Sequence, residues 1–272
     1  MRWSRLSRLA QLHRHRSLVI AVGVVVVLIA VLGITLRGDR SGHDTAPVNP
    51  PAAWAGGGID LGGWKLSIPE ENDDGGATSI EPATTKAPWL SATPDGGLMF
   101  WAPTVGATTD NSEHPRTELQ SLTTFSAGAA SHTLSASLTL LQLPRDGRGV
   151  IVGQIHGAQN LSSVPYVMLR VQKGQLRVVV KQVQDGDDLI DYPLLAGVGL
   201  NSRIDYTITD FGNGSMAFTA TNNGVTRQAS APVPAAFYGA TVRFQAGDYQ
   251  QANDSDGTQD GARVIFHRLV QQ

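Results

Sequence analysis

The run VIVGQIHG at residues 150–157 fixes how the rest of the chain is to be read. It is short, rich in β-branched residues and bounded by glycines, so it reads as a strand. Residues two apart in a strand face the same way, which puts Gln154 and His156 on one face and Ile155 on the other. One face is a core; the other is a chemical surface.

The same alternation recurs in two other segments. In HPRTELQ, residues 114–120, Arg116, Glu118 and Gln120 share a side opposite Thr117 and Leu119. In VRFQAGDYQQ, residues 242–251, Val242, Phe244 and Ala246 alternate with Arg243, Gln245 and Gly247. Tyr249 and Gln251 continue the polar side if no bulge intervenes. Neighbouring positions in one sheet would bring Arg116, Gln154, His156 and Tyr249 together.

Further strands are expected at 64–68, 97–102, 131–143, 166–171, 175–183, 204–210, 215–221, 225–229 and 263–270. Turn pairs such as Asp146-Gly147, Lys173-Gly174, Asp185-Gly186, Asn213-Gly214 and Asn223-Gly224 separate many of them. No stretch beyond residue 58 shows helical periodicity. The expected fold is an all-β antiparallel sandwich of jelly-roll type, with one concave sheet able to hold a chain-like ligand.

The N-terminus is different in kind. Five arginines (Arg2, Arg5, Arg8, Arg14 and Arg16) precede an uncharged apolar stretch from Leu18 to Leu36, long enough to cross a bilayer. A cleavable signal peptide has a shorter apolar region with a small-residue site close behind it. Here Arg37-Gly38-Asp39-Arg40 follows, so the reading is an uncleaved single-pass anchor. It has a basic cytoplasmic segment at 1–17, a transmembrane helix at 18–36, a Pro/Ala/Gly tether at 37–58 and a folded domain at 59–272 outside the cell. Cleavage would give a secreted domain.

Composition excludes several chemistries. The chain of 272 residues has no cysteine, which removes disulfides, thiolate metal sites and Cys nucleophiles. Seven of the 21 basic residues and two of the 23 acidic ones precede Gly58, leaving 14 against 21 and a domain charge of about −7. That balance argues against nucleic-acid binding and requires any anionic ligand to meet a local group of cations. The segment Asp254-Ser255-Asp256-Gly257 with Asp260 lacks the spacing and closing Glu of a calcium loop and reads as a solvated turn. No metal and no cofactor are expected.

With these segments in view, the chain resembles polysaccharide lyase family 7, the alginate lyase group. That family's signatures are R-S/T-E-L-R, Q-I/V-H and Y-F-K-A-G-x-Y-x-Q. Here they stand in order as Arg116-Thr117-Glu118-Leu119-Gln120, Gln154-Ile155-His156 and Arg243-Phe244-Gln245-Ala246-Gly247-Asp248-Tyr249-Gln250-Gln251. IDLGGWKLSIP, residues 59–69, is similar to the family's opening strand and GARVIFHRLV, residues 261–270, to its last. Gln120, Arg243 and Gln245 depart from the pattern at positions that bind the sugar chain in the family.

The resemblance implies catalysis by Arg116, Gln154, His156 and Tyr249, with Glu118, Gln120, Arg243, Gln245 and Gln251 contacting an anionic polysaccharide. These residue types suit β-elimination of a 4-linked uronate. The C5 proton is hard to remove beside an anionic carboxylate, and an arginine fork with a glutamine amide neutralises that group. A neutral histidine then accepts the proton, and a tyrosine donates one to the leaving oxygen or serves as base when deprotonated. Isoleucine between Gln154 and His156 is associated in the family with guluronate-containing substrate. Glu118 is expected to form a surface ion pair with Arg116 that orients its neighbours.

Two rival readings are weaker. A sandwich-fold glycoside hydrolase needs two carboxylates flanking the bond, and beyond Glu81 the chain holds only Glu113 and Glu118 as glutamates. A non-catalytic carbohydrate-binding module would use the same sheet, but has no need of His156 and Tyr249 together.

Overall fold

The computed structural model describes residues 58–110, 112–252 and 259–272. The basic segment 1–17, the apolar segment 18–36 and the tether up to residue 57 lie outside the described residues. Among the described residues no helix is long and apolar enough to cross a membrane.

Among the described residues, sixteen strands form two antiparallel sheets. The larger sheet runs in the order β11 (Leu189–Ala196), β10 (Gln175–Lys181), β9 (Pro165–Gln172), β8 (Val150–Gly157), β15 (Thr241–Gln250), β5 (Arg116–Ser121), β1 (Trp64–Glu71) and β2 (Ala77–Ile80). The two-residue β6 (Phe125–Ser126) also pairs with β15. The smaller sheet runs β14 (Val225–Pro232), β13 (Ser215–Asn222), β12 (Arg203–Phe211), β7 (Ser131–Gln142), β16 (Gly261–Gln271), β4 (Leu98–Pro103) and β3 (Leu90–Ala92). One short 3₁₀ turn, Gln159–Leu161, is the only helical element among the described residues. This is the expected all-β sandwich.

Alternation along each strand builds the core between the sheets. From β9, Val167, Leu169 and Val171 point inward, while Met168, Arg170 and Gln172 stand half-buried on the other face. From β12, Ile204, Tyr206 and Ile208 meet them from the opposite sheet. Aromatic rings fill the wider gaps: Tyr166 stacks on Phe237 with centroids 4.4 Å apart, and Phe100 meets Phe266 edge-on at 5.1 Å. The Lys173-Gly174 and Asn223-Gly224 turns close the β9–β10 and β13–β14 hairpins with positive φ at both residues, as the right-handed strand twist favours.

The opening stretch explains its own apolar run. Val150 and Val152 both join the core, and so does Ile155, which breaks simple alternation. The ladder with β9 shifts register between Ile151 and Gly153, and the ladder with β15 shifts there too. A bulge therefore flips the parity, so that Ile151 shares the outer face with Gln154 and His156. Gly153 is needed for a close approach: the Tyr206 hydroxyl, which donates to the Val152 carbonyl at 2.9 Å, would lie 2.5 Å from any Cβ placed there.

Four strands escape the sequence reading: β2, β3, β6 and β11. β2, β3 and β6 are four residues or fewer. β11 carries Pro193 and Asp191, which lower strand propensity. It is tolerated because β11 is the edge of its sheet, where a missing N–H need not be paired.

Candidate active site

β8, β15 and β5 are consecutive neighbours, so the three polar-faced segments share one outer surface. The ladders set who faces whom. His156 lies opposite Arg243, Gln154 opposite Gln245, and Gln245 opposite Gln120. Further along, Gly247 faces Glu118, and Tyr249 faces Arg116 on one side and Ile151 on the other. β15 stays in step with β5 throughout, so Tyr249 and Arg116 keep the parity of Gln245 and Gln120. Against β8 it carries one extra residue between Ala246 and Tyr249. Gly247 makes the bulge feasible: its φ is +151°, and a Cβ would sit 2.6 Å from the Thr117 carbonyl oxygen.

Although these side chains point away from the core, they are largely shielded from water. Glu118 and Gln154 are 0% exposed, Gln245 1%, Arg116 7%, and His156 and Gln120 8% each. The outer face is thus recessed here, and polar groups in it must satisfy one another. Arg116 donates from one terminal nitrogen to Glu118 Oε2 at 3.0 Å and from the other to Ser112 Oγ at 3.0 Å. Gln154 Nε2 donates to Glu118 Oε1 at 2.6 Å and to Gln245 Oε1 at 3.3 Å. Arg116 Nε, Gln154 Oε1 and Arg243 Nε are enclosed and have no hydrogen-bond partner among the described residues.

The Arg116–Glu118 pair corrects one expectation. It is a buried pair and not a surface one, because β5 lies second from β8 across the sheet and Gln154 closes over Glu118. Burial pushes the Glu118 carboxyl above its ordinary range, opposed by the Arg116 charge and by hydrogen bonds from Gln154 and Arg116. Sealed from solvent, Glu118 acts by holding Arg116 and Gln154 in place.

His156 is set up as a proton acceptor. Its Nδ1 lies 3.0 Å from the Gly157 carbonyl, which can only accept, so Nδ1 carries the hydrogen and Nε2 the lone pair. Burial lowers its pKa to about 4; the Gly157 bond opposes this and the Arg116 and Arg243 charges add to it. The ring is therefore neutral at neutral pH. Tyr249 is held from two sides. The Arg116 guanidinium lies 3.6 Å from its ring centroid, and its hydroxyl sits 3.0 Å from Ser112 Oγ.

The structure thus brings together Arg116, Glu118, Gln154, Gln245 and Tyr249 by direct contact, with His156 close enough to feel the Arg116 charge. Gln120 and Gln245 form, with Gln154, a row of three glutamines across β5, β15 and β8. Arg243 is half-buried opposite His156. Gln251 lies just past β15 with its amide bound to the carbonyls of Tyr249 and Gln250.

Sequence reasoning missed Ser112 and His114. Ser112 Oγ serves Arg116, Tyr249 and the His114 backbone, and the His114 ring, bound through Nδ1 to the Ala252 carbonyl, lies 6.2 Å from the Tyr249 ring. Their only signal was position, in the polar run immediately before Arg116. Among the described residues no three His, Asp or Glu side chains are grouped to share a metal ion. Of the acidic loop near the C-terminus, residues 253–258 lie outside the described residues. Asp260 is buried, with its Oδ1 accepting from the Arg145 and Gly261 N–H groups.

A family model for alginate lyase matches residues 59–272. The solved structure of alginate lyase A1-II′, a member of polysaccharide lyase family 7, aligns with a TM-score of 0.67 at 31% identity, over 79% of this chain and 96% of its own. Variants of that lyase have been crystallised with a product written GGG and with a substrate written GGMG. An alginate lyase from Pseudomonas aeruginosa aligns with a TM-score of 0.68 at 28% identity, over 78% of this chain and 99% of its own. A comparison with curated proteins found no match.

Proposed function

This chain belongs to polysaccharide lyase family 7, the alginate lyases, and from that premise we propose that it cleaves 4-linked uronic acid polymers, alginate foremost, by β-elimination without a metal. The observation that carries the reading is the pairing of a neutral His156, its Nε2 lone pair free, with an Arg116 guanidinium fixed against the Tyr249 ring.

In this mechanism Arg116 binds the uronate carboxylate and holds the charge that builds on it as the C5 proton leaves. His156 Nε2 takes that proton. The C5–H electron pair forms the C4=C5 double bond, the C4–O bond breaks, and the Tyr249 hydroxyl protonates the departing oxygen. Gln154 joins Arg116 at the carboxylate by exchanging its longer bond, to Gln245, for one to substrate. A bound carboxylate also offsets the Arg116 and Arg243 charges that depress His156, so substrate strengthens its own base.

Ile155 favours guluronate-containing blocks in this reading. The N-terminal apolar segment anchors the enzyme with its catalytic domain outside the cell. The test is to incubate the full chain with separate polyguluronate, polymannuronate and glucuronan, and follow the ultraviolet absorbance of unsaturated ends. Fastest release from polyguluronate supports the proposal; no absorbance change with any of them refutes it.

A further inference from the structure

The hydrogen-bonded ladders draw one row across five strands of the outer face. Arg116 faces Tyr249, Tyr249 faces Ile151, Ile151 faces Arg170, and Arg170 faces Arg177. At about 4.8 Å per strand, the row spans roughly 19 Å, and Arg170 stands roughly 10 Å from Tyr249. Each step is close to the advance of one 1,4-linked pyranose, so a chain laid along the row offers each strand about one sugar.

Three guanidiniums gather at the far part of that row. Arg170 donates from Nε and a terminal nitrogen to the Arg148 carbonyl at 3.2 and 2.7 Å, which fixes its orientation. Arg148 pairs with Asp146, and Arg177 with Asp191 and the Gln175 amide oxygen. Arg170 alone of the three has no carboxylate within ion-pair distance among the described residues. Burial and the neighbouring Arg177 and Arg148 guanidiniums lower its pKa, opposed by the more distant Asp146 and Asp191 carboxylates, so an anion placed directly on Arg170 would relieve a net cost. The His114 ring, beside Tyr249, feels both Arg148 and Arg170, which ties this group to the active face. By contrast, the row of Gln120, Gln245 and Gln154, beyond Glu118 on the same face, is neutral.

We propose that Arg170, anchored on the Arg148 carbonyl and flanked by Arg177, is a carboxylate-binding station that grips the acidic polysaccharide one or two sugars from the bond being cut. The inference rests on the lyase reading for its ligand and deepens it: affinity comes from the carboxylate of a neighbouring uronate, so cleavage favours longer acidic chains.

The experiment compares the full chain with Arg170→Gln and, as a charge control on the other sheet, Arg227→Gln, using alginate oligomers of defined length. For oligomers of about six sugars, Arg170→Gln raises KM roughly tenfold while kcat falls by less than about twofold. For the shortest cleavable oligomers the KM difference disappears. Added salt narrows the gap, and Arg227→Gln matches the parent. An equal KM at every length, or a kcat loss at every length, overturns the station. Calorimetry in the His156→Ala background reads the same site without turnover. There, about tenfold weaker hexamer binding on adding Arg170→Gln supports the station even if no polymer is cleaved, and equal binding overturns it.

Discussion

The Arg116 guanidinium lies over the Tyr249 ring, 3.6 Å from its centroid, while the Tyr249 hydroxyl meets Ser112 Oγ at 3.0 Å. The ring and the hydroxyl thus have separate jobs. Ser112 Oγ also accepts from Arg116 and donates to the His114 carbonyl, which leaves the tyrosine proton directed at Ser112 until a better acceptor arrives.

Tyr249→Phe keeps the stacked ring and removes only the proton donor. Steady-state kinetics on alginate will show kcat reduced by about 10²- to 10⁴-fold with KM little changed. A variant with kcat within about threefold of the parent would remove Tyr249 from the chemistry.

Arg116→Ala strips Glu118 of its partner inside a sealed site. It costs about 3–5 kcal/mol of stability as well as activity, by urea unfolding. Arg116→Gln combined with Glu118→Gln removes both charges and recovers most of the lost stability, yet remains inactive. Recovery of turnover in the double variant would show that no cation is needed at the uronate carboxylate.

The His156 pKa, lowered from 6.5 to about 4, sets two pH dependences. For stability, the unfolded histidine binds a proton below pH 6.5 that the folded one refuses until about pH 4. This contribution is complete above pH 6.5 and is lost as pH falls through that window, by at most about 3 kcal/mol. Denaturant unfolding of His156→Gln between pH 8 and 4 will lack that part of the slope. For activity, the acid limb of kcat/KM lies near the free-enzyme value, and that of kcat lies higher, because bound carboxylate raises the imidazole.

Asp248, on the core side of β15, is fully enclosed, and neither carboxylate oxygen has a hydrogen bond of ordinary geometry. Burial raises its pKa well above 3.8, offset only in part by the Ala102 backbone and the Arg263 charge. The folded carboxyl therefore keeps a proton that the unfolded chain gives up, so it costs stability increasingly as pH rises above 3.8. Asp248→Asn will raise the melting temperature more at pH 8 than at pH 4.

Much of this was legible in the sequence because the strand period is fixed at two residues. Gln154 with His156, and Arg116 with Glu118 and Gln120, had to share faces, and the turn pairs at 173–174 and 223–224 had to close hairpins. What escaped has physical causes as well. The burial of Glu118 depends on Gln154 closing over it from two strands away, which no local pattern encodes. β11 hid behind Pro193, which only an edge position tolerates. The residue added at the Gly247 bulge sets Tyr249 opposite Ile151 of β8, and Ser112 enters the site from an aperiodic loop. The row linking Tyr249 to Arg170 and Arg177 depends on register, which strand propensity does not specify.

In the proposed reaction, His156 and Tyr249 carry out an elimination against a carboxylate held by Arg116. Mass spectrometry of the products from one defined alginate oligomer distinguishes elimination from hydrolysis. Elimination gives two fragments whose masses add up to the substrate with no water gained, one bearing the new double bond, and no fragments from His156→Ala. Fragments that together carry one added water would mean hydrolysis and contradict it.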